Sequence, residues 1–177
     1  MPGNDLPILT LRPRPLEQAA FAPFGTVVEH RSPGTRHYVH EAFDHSPSST
    51  DAKPFLWLTR PAKVSTFPLV LERLERHPHS AQTFIPLSPL RYLVVVCHPK
   101  ADGSPDLMTL EAFVASGGQG VTYARNVWHH GLTVLDPGAE FAVVMSLANQ
   151  GDDDVFLDLE RHVVVDAPRH GVPHDDL

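Results

Sequence analysis

Apolar residues along this chain recur in short runs, many of them alternating with polar positions, and nearly every run is closed by proline, glycine or a polar cluster. Residues 8–11, 26–29, 55–60, 81–87, 92–98, 111–115, 121–123, 128–134 and 140–147 therefore read as strands. Residues 155–159 and 161–165 give weaker strand signals. The run Val94-Val95-Val96 makes 92–98 the most strongly β-branched segment of the chain. The segment 69–76 is ambiguous, because Leu71 and Leu74 also fit a helical spacing. Pro68 and Pro78 leave little room for a stable helix between them, so a strand is expected. Helical signals are brief. Residues 16–21 form a turn or two closed by Pro23 and Gly25, and residues 104–108 form one more, with Ser104 suited to the cap and Pro105 to the first position. Residues 30–53 are polar and predict a long loop with one short strand around Tyr38-Val39, a place from which a substrate lid can come.

Many short strands, 18 prolines, 11 glycines and almost no extended helical pattern predict an all-β fold. The expected form is a barrel or double-sheet roll with a few short helical turns. At 177 residues, one domain over 1–165 is expected, followed by a flexible C-terminal tail, 166–177, free or laid on a partner.

Composition narrows the functional classes. Hydrophobic residues make up 42% and charged residues 20%, as in a soluble globular protein. The net charge of -7, with no basic run, argues against nucleic acid as a partner but not against a small anion, since a few local arginines override net charge. No apolar stretch approaches the ~20 residues of a membrane span, and the N-terminus lacks a signal-peptide pattern, so a cytoplasmic protein is expected. Cys97 is the single cysteine, excluding an internal disulfide and a CxxC zinc pattern, and it reads as a buried small hydrophobe. Asp152-Asp153-Asp154 reads as a solvated loop.

Two clusters carry candidate chemistry. In the first, His77 and His79 are two residues apart and so share one face of an extended chain, and Gln82 follows. Joined by His129, they form a candidate metal set, since imidazoles suit zinc, nickel, iron and copper. Gln82 stands where a carboxylate is expected and is a weaker donor. The same histidines can instead transfer protons, or lie idle on the surface. The second cluster, Arg125-Asn126-Val127-Trp128-His129-His130, is too polar for a plain core strand. His129 and His130 must face opposite ways, and His129 is expected to be the inward one. Arg125 suits bidentate binding of a carboxylate, or a surface pairing with one of the 21 acidic residues.

The segments 75–87 (ERHPHSAQTFIPL) and 123–132 (YARNVWHHGL), with Gly118-Gln119-Gly120-Val121 between them, resemble the ureidoglycolate lyase family, also called ureidoglycolate hydrolase, of the cupin superfamily. The likeness runs from about Leu16 to Leu147 and is specific in order and spacing. It implies a cupin-like β-barrel, a homodimer, and cleavage of ureidoglycolate to glyoxylate and urea in allantoin (purine) catabolism. It also implies that His77, Gln82 and His129, with His79 less securely, occupy cupin metal positions, open to a divalent ion such as nickel or zinc. On this reading His129 is the base, and His77 is the acid or a metal-holding group. Arg125 or Arg76 holds the substrate carboxylate, Gln82 and Asn126 bond the urea group, and Trp128 and Phe84 exclude water. The rival readings are a metal-dependent cupin of other chemistry and a non-enzymatic small-molecule-binding barrel.

Overall fold

Residues 8–30, 32–148 and 153–169, which the computed structural model describes, form two curled sheets. In spatial order the first sheet runs β1 (Leu9–Leu11), β13 (Val155–Val165), β5 (Leu69–Arg76), β10 (Trp128–His129), β7 (Tyr92–Cys97), β8 (Glu111–Ala115) and β2 (Arg14–Pro15). The two-residue β11 (Thr133–Val134) also pairs with β7. The second sheet runs β3 (Gly25–Val28), β9 (Gly120–Tyr123), β6 (Gln82–Pro86), β12 (Phe141–Leu147) and β4 (Lys53–Thr59). The sheets curl into a half-barrel, and the fold is all-β and cupin-like.

The alternation along β7 builds two cores at once. Tyr92, Val94 and Val96 face inward and pack with Phe84, Phe113, Val121, Tyr123 and Phe141 from both sheets. Leu93, Val95 and Cys97 face the other way and pack with Leu71, Leu74, Trp128, Val163 and Val165. A strand buried on both faces has no use for polar positions, which is why 92–97 is unbroken in the sequence. Edge-to-face aromatic pairs fill the inner core, with Tyr92 and Phe141 centroids 5.1 Å apart.

Two glycines set how closely the second sheet is built. A Cβ on Gly25 would lie 1.9 Å from the carbonyl oxygen of Thr122, and one on Gly120 would lie 2.5 Å from that of Phe84. Only glycine lets β3 and β6 close on β9 at this register, which sets Gln82 opposite Tyr123.

The ambiguous segment 69–76 is strand β5, held between β13 and β10. The expected strand 128–134 is instead two short pieces, β10 and β11, with His130 donating its N–H to the carbonyl of Val95 between them. The two weak signals near the C-terminus form one strand, β13, whose register shifts between Asp158 and Val163. Tyr38-Val39 is not a strand. The loop carries a 3-10 turn at His40–Phe43, which packs on β12 and β6. The later helical turn spans Leu107–Thr109 and is capped by Asp106, which accepts from the N–H of Met108; Ser104 bonds Asp102 instead. Of the expected tail, 170–177 lies outside the described residues, and Asp166 is tied back through Leu11 and Arg12.

Strand β4 pairs with β12 along one side and, among the described residues, with no strand along the other. Its Phe55, Leu56, Trp57 and Leu58 are all exposed, Leu56 at 67%.

Candidate functional site

The site forms where the C-terminal end of β5 meets β10 and the start of β6. Glu75 and His77 are two residues apart at the end of β5, so they project together. β10 lies beside β5 in the register that sets His129 directly opposite Glu75. Gln82 opens β6 opposite Met145 of β12. Four polar side chains from three strands thus reach one point, although two of the strands contribute it only at their ends.

His129 is 1% exposed, and its ring stacks on Tyr123 at 4.2 Å between centroids. Its Nδ1 lies 3.0 Å from the carbonyl of Val127, an atom that only accepts, so Nδ1 carries a hydrogen, while Nε2 faces two further acceptors and donates to them when the ring is an imidazolium. Nε2 lies 3.2 Å from Oε1 of Gln82 and 3.4 Å from a carboxylate oxygen of Glu75. The Gln82 amide nitrogen donates to the sulfur of Met145 at 3.4 Å, which fixes the orientation of the amide.

The ring of His77 is centred 5.2 Å from that of His129. Its Nδ1 lies 3.2 Å from the carbonyl of Asp153 and 3.0 Å from the carboxylate of Asp154. Its Nε2 is buried and has no hydrogen-bond partner among the described residues. One ligand atom each from Glu75, His77 and His129 lies within 4.8 Å of the other two. A buried nitrogen without a partner, a second imidazole and a carboxylate are donors that fit a divalent transition-metal ion.

The electrostatics favour a neutral His77 beside an ionised Glu75. Burial pushes the His77 imidazolium down and His129 adds to this, against the opposing pull of Glu75, Asp154 and Asp153. Burial alone would push the Glu75 carboxyl up. The hydrogen bond and charge of His129, with His77 and His130, outweigh that and leave it below its ordinary value.

Beside this cluster lies a pocket of about 390 Å³. Glu75, His77, Gln82 and Asp154 are its polar lining, and Trp57, Met145, Leu147 and Phe156 its apolar lining.

The structure brings together three of the residues expected from sequence: His77, Gln82 and His129. His79 is not in the converging group; its backbone N–H donates to the Asp153 carboxylate. Arg76 turns to the opposite face of the strand, donates to Asn126 at 2.7 Å and covers the ring of Trp128 at 5.0 Å. Arg125 pairs with Asp44 at 2.8 Å. Asn126 adopts φ 68 and donates its N–H to the carbonyl of His77, so it shapes the turn that delivers β10. Trp128 is buried in the second core and donates to the carbonyl of Gly103, while Phe84 belongs to the inner core. These last five residues do not line the pocket; His129 does not line it either, but lies directly behind Glu75 and Gln82, which do.

Sequence reasoning missed Glu75 and Asp154. The face-sharing argument that joined His77 to His79 applies equally backward to Glu75 and was the available signal. Asp153 and Asp154 looked like part of a solvated run. Instead the Asp153 carboxylate accepts from Ser80 and from the His79 N–H, and Asp154 reaches the pocket (Asp152 lies outside the described residues).

The profile of the ureidoglycolate lyase family matches residues 8–168. A putative ureidoglycolate lyase of Agrobacterium fabrum is 39% identical over 158 residues, covering 89% of this chain and 95% of its own. The ureidoglycolate lyase of Pseudomonas syringae pv. tomato is 35% identical over 173 residues, covering 92% and 99%. That of Mesorhizobium japonicum is 37% identical over 140 residues, covering 74% and 82%. The family profile spans the strands that build the pocket as well as both polar clusters, and the chain belongs to the ureidoglycolate lyase family.

Proposed function

We propose that this protein is a lyase that cleaves ureidoglycolate to glyoxylate and urea, and that Glu75, His77, Gln82 and His129 carry out the cleavage. The observation that carries the reading is the pairing of His129 Nε2 with the Glu75 carboxylate beside the pocket, in a chain of this family. Ureidoglycolate is a carbinol whose carbon bears a carboxylate, a hydroxyl and a ureido nitrogen. Cleavage moves one proton: the hydroxyl loses it, the carbon–oxygen double bond forms, the carbon–nitrogen bond breaks, and the leaving nitrogen takes a proton. A single imidazole can accept the first and supply the second.

His129 suits that shuttle. Val127 fixes its Nδ1, Tyr123 fixes its ring plane, and Glu75 lies where it stabilises the imidazolium that forms. His77, pushed toward its neutral form by burial, suits an acceptor or ligand role better than that of a resting acid. Gln82 is placed to bond the ureido group, and Trp57, Met145, Leu147 and Phe156 form the apolar wall of the pocket. Neither Arg76 nor Arg125 lines the pocket, while two carboxylates do. The substrate carboxylate therefore needs another cation. A divalent ion such as nickel or zinc, held by Glu75 and the unpartnered Nε2 of His77, would supply that charge and polarise the substrate oxygen while leaving His129 Nε2 to carry the proton.

The same reading includes a cytoplasmic enzyme working as a homodimer. The open edge and exposed apolar side chains of β4 suit pairing with a second copy. No helix among the described residues is long and apolar enough to cross a membrane.

The test is product identity. Purified protein is incubated with ureidoglycolate before and after treatment with a chelator, and glyoxylate, urea and ammonia are measured. Equal glyoxylate and urea support the proposal, and loss of both on chelation with return on adding nickel or zinc supports the metal. Ammonia in place of urea would mean an amidohydrolase and would overturn the lyase reading.

A further inference from the structure

The second acidic residue of the pocket sits on a segment far from β5 in sequence, and the contacts of that segment with His77 converge on a single ring nitrogen. We propose that the segment Asp153-Asp154 is a positioning clasp for His77, locking its ring as the Nδ1–H tautomer so that the Nε2 lone pair faces the reacting atoms. The activity part of this proposal rests on the lyase reading above; the tautomer part does not.

Two atoms approach Nδ1 of His77, the backbone carbonyl of Asp153 at 3.2 Å and the carboxylate of Asp154 at 3.0 Å. A carbonyl oxygen and a carboxylate oxygen only accept, so Nδ1 must be the donor to both. In the neutral ring the lone pair is then on Nε2, the atom that is buried without a partner beside Glu75 and His129. The opposite tautomer would set a lone pair against two acceptors and bury an N–H with none. The segment is held for this purpose at a second point. The Asp153 carboxylate accepts from the hydroxyl of Ser80 and, at 2.6 Å, from the N–H of His79, across the turn that follows His77. Asp153 thus anchors the segment and supplies a carbonyl, and Asp154 supplies the charged acceptor. The Asp154 side chain is 65% exposed while His77 is 5% exposed, so the clasp is a surface element acting on a buried ring. Partners of this kind, behind a ligand or catalytic imidazole, typically change activity or metal affinity by about 10–100-fold when removed.

Two readouts test this. Ring 15N shifts of His77, assigned by their loss in His77→Gln, report the tautomer directly, and steady-state kinetics report its use. In the wild-type protein the shifts should show a protonated Nδ1 and a bare Nε2. In Asp153→Ala/Asp154→Ala the tautomers should mix, with kcat falling about 10–100-fold and KM changing by less than about threefold. Asp154→Asn, whose amide oxygen can still accept, should keep the tautomer and most of kcat, a rescue that simple loss of folding would not give. A protonated Nε2 in the wild type would overturn the proposal whatever the activity. So would a double variant that keeps the Nδ1–H signature or wild-type kcat. Absence of any urea release from the wild type would overturn the lyase reading while leaving the 15N result to decide the clasp.

Discussion

Glu75 and His129 stand directly opposite each other on adjacent antiparallel strands, with a carboxylate oxygen of the first 3.4 Å from Nε2 of the second. The pair is part of the sheet itself, so its geometry is fixed by strand register rather than by a loop. Removing the charge while keeping the shape isolates what the carboxylate does. Glu75→Gln should fold normally and lose about a hundredfold or more in kcat, measured by urea release. A near-normal rate would remove Glu75 from the mechanism.

The position of Glu75 beside His77 was readable from the alternation of strand side chains, yet the sequence alone pointed to His79. Period-2 reasoning found the face correctly, but the chain turns after His77, and alternation stops holding at Pro78. The all-β fold and the inward direction of His129 were legible because burial imposes a pattern on runs such as 92–97. The acidic segment near the C-terminus was not. Asp153 and Asp154 reach His77 across 76 and 77 positions of chain, and no local rule carries that distance. Of the two roles open to Arg125, the structure shows the surface pairing, with Asp44, and the unusual motif around it shapes a turn at Asn126 and a core at Trp128.

Acid should weaken the fold in two steps. His77 has a folded-state value below its ordinary 6.5, so its contribution is complete above 6.5 and is lost as pH falls toward the lowered value. Glu75 is also lowered, from 4.5, so its contribution is present above 4.5 and is lost only as pH falls through the lower folded value. Denaturation midpoints measured from pH 8 down to pH 5 should therefore fall, and His77→Gln should flatten that slope. An unchanged slope in the variant would show that His77 is not the group responsible.

Cys97 should be chemically silent. It is fully buried in the second core, and burial pushes its thiol up to about 12, which leaves almost no thiolate at neutral pH. An aromatic disulfide reagent should leave the native protein untouched for hours and titrate one thiol once the chain is unfolded. Rapid reaction of the native protein would contradict the packing described.

A charge placed on β4 tests the proposed dimer. Leu56 is exposed on a strand whose outer edge is open among the described residues, and lysine is a common means of blocking such edges. Sedimentation equilibrium should give a dimer for the wild type and a monomer for Leu56→Lys. A monomeric wild type, or a variant that stays dimeric, would rule out this edge as the interface.

On the proposed function, ureidoglycolate is cleaved at the cluster built around His129. This is tested most directly by comparing initial rates of glyoxylate and urea release for the wild type and His129→Ala at saturating ureidoglycolate, with thermal unfolding recorded for both. The wild type should release equal amounts of the two products, and a folded variant should lose at least about a hundredfold in rate. A folded His129→Ala that releases urea at close to the wild-type rate would contradict this reading.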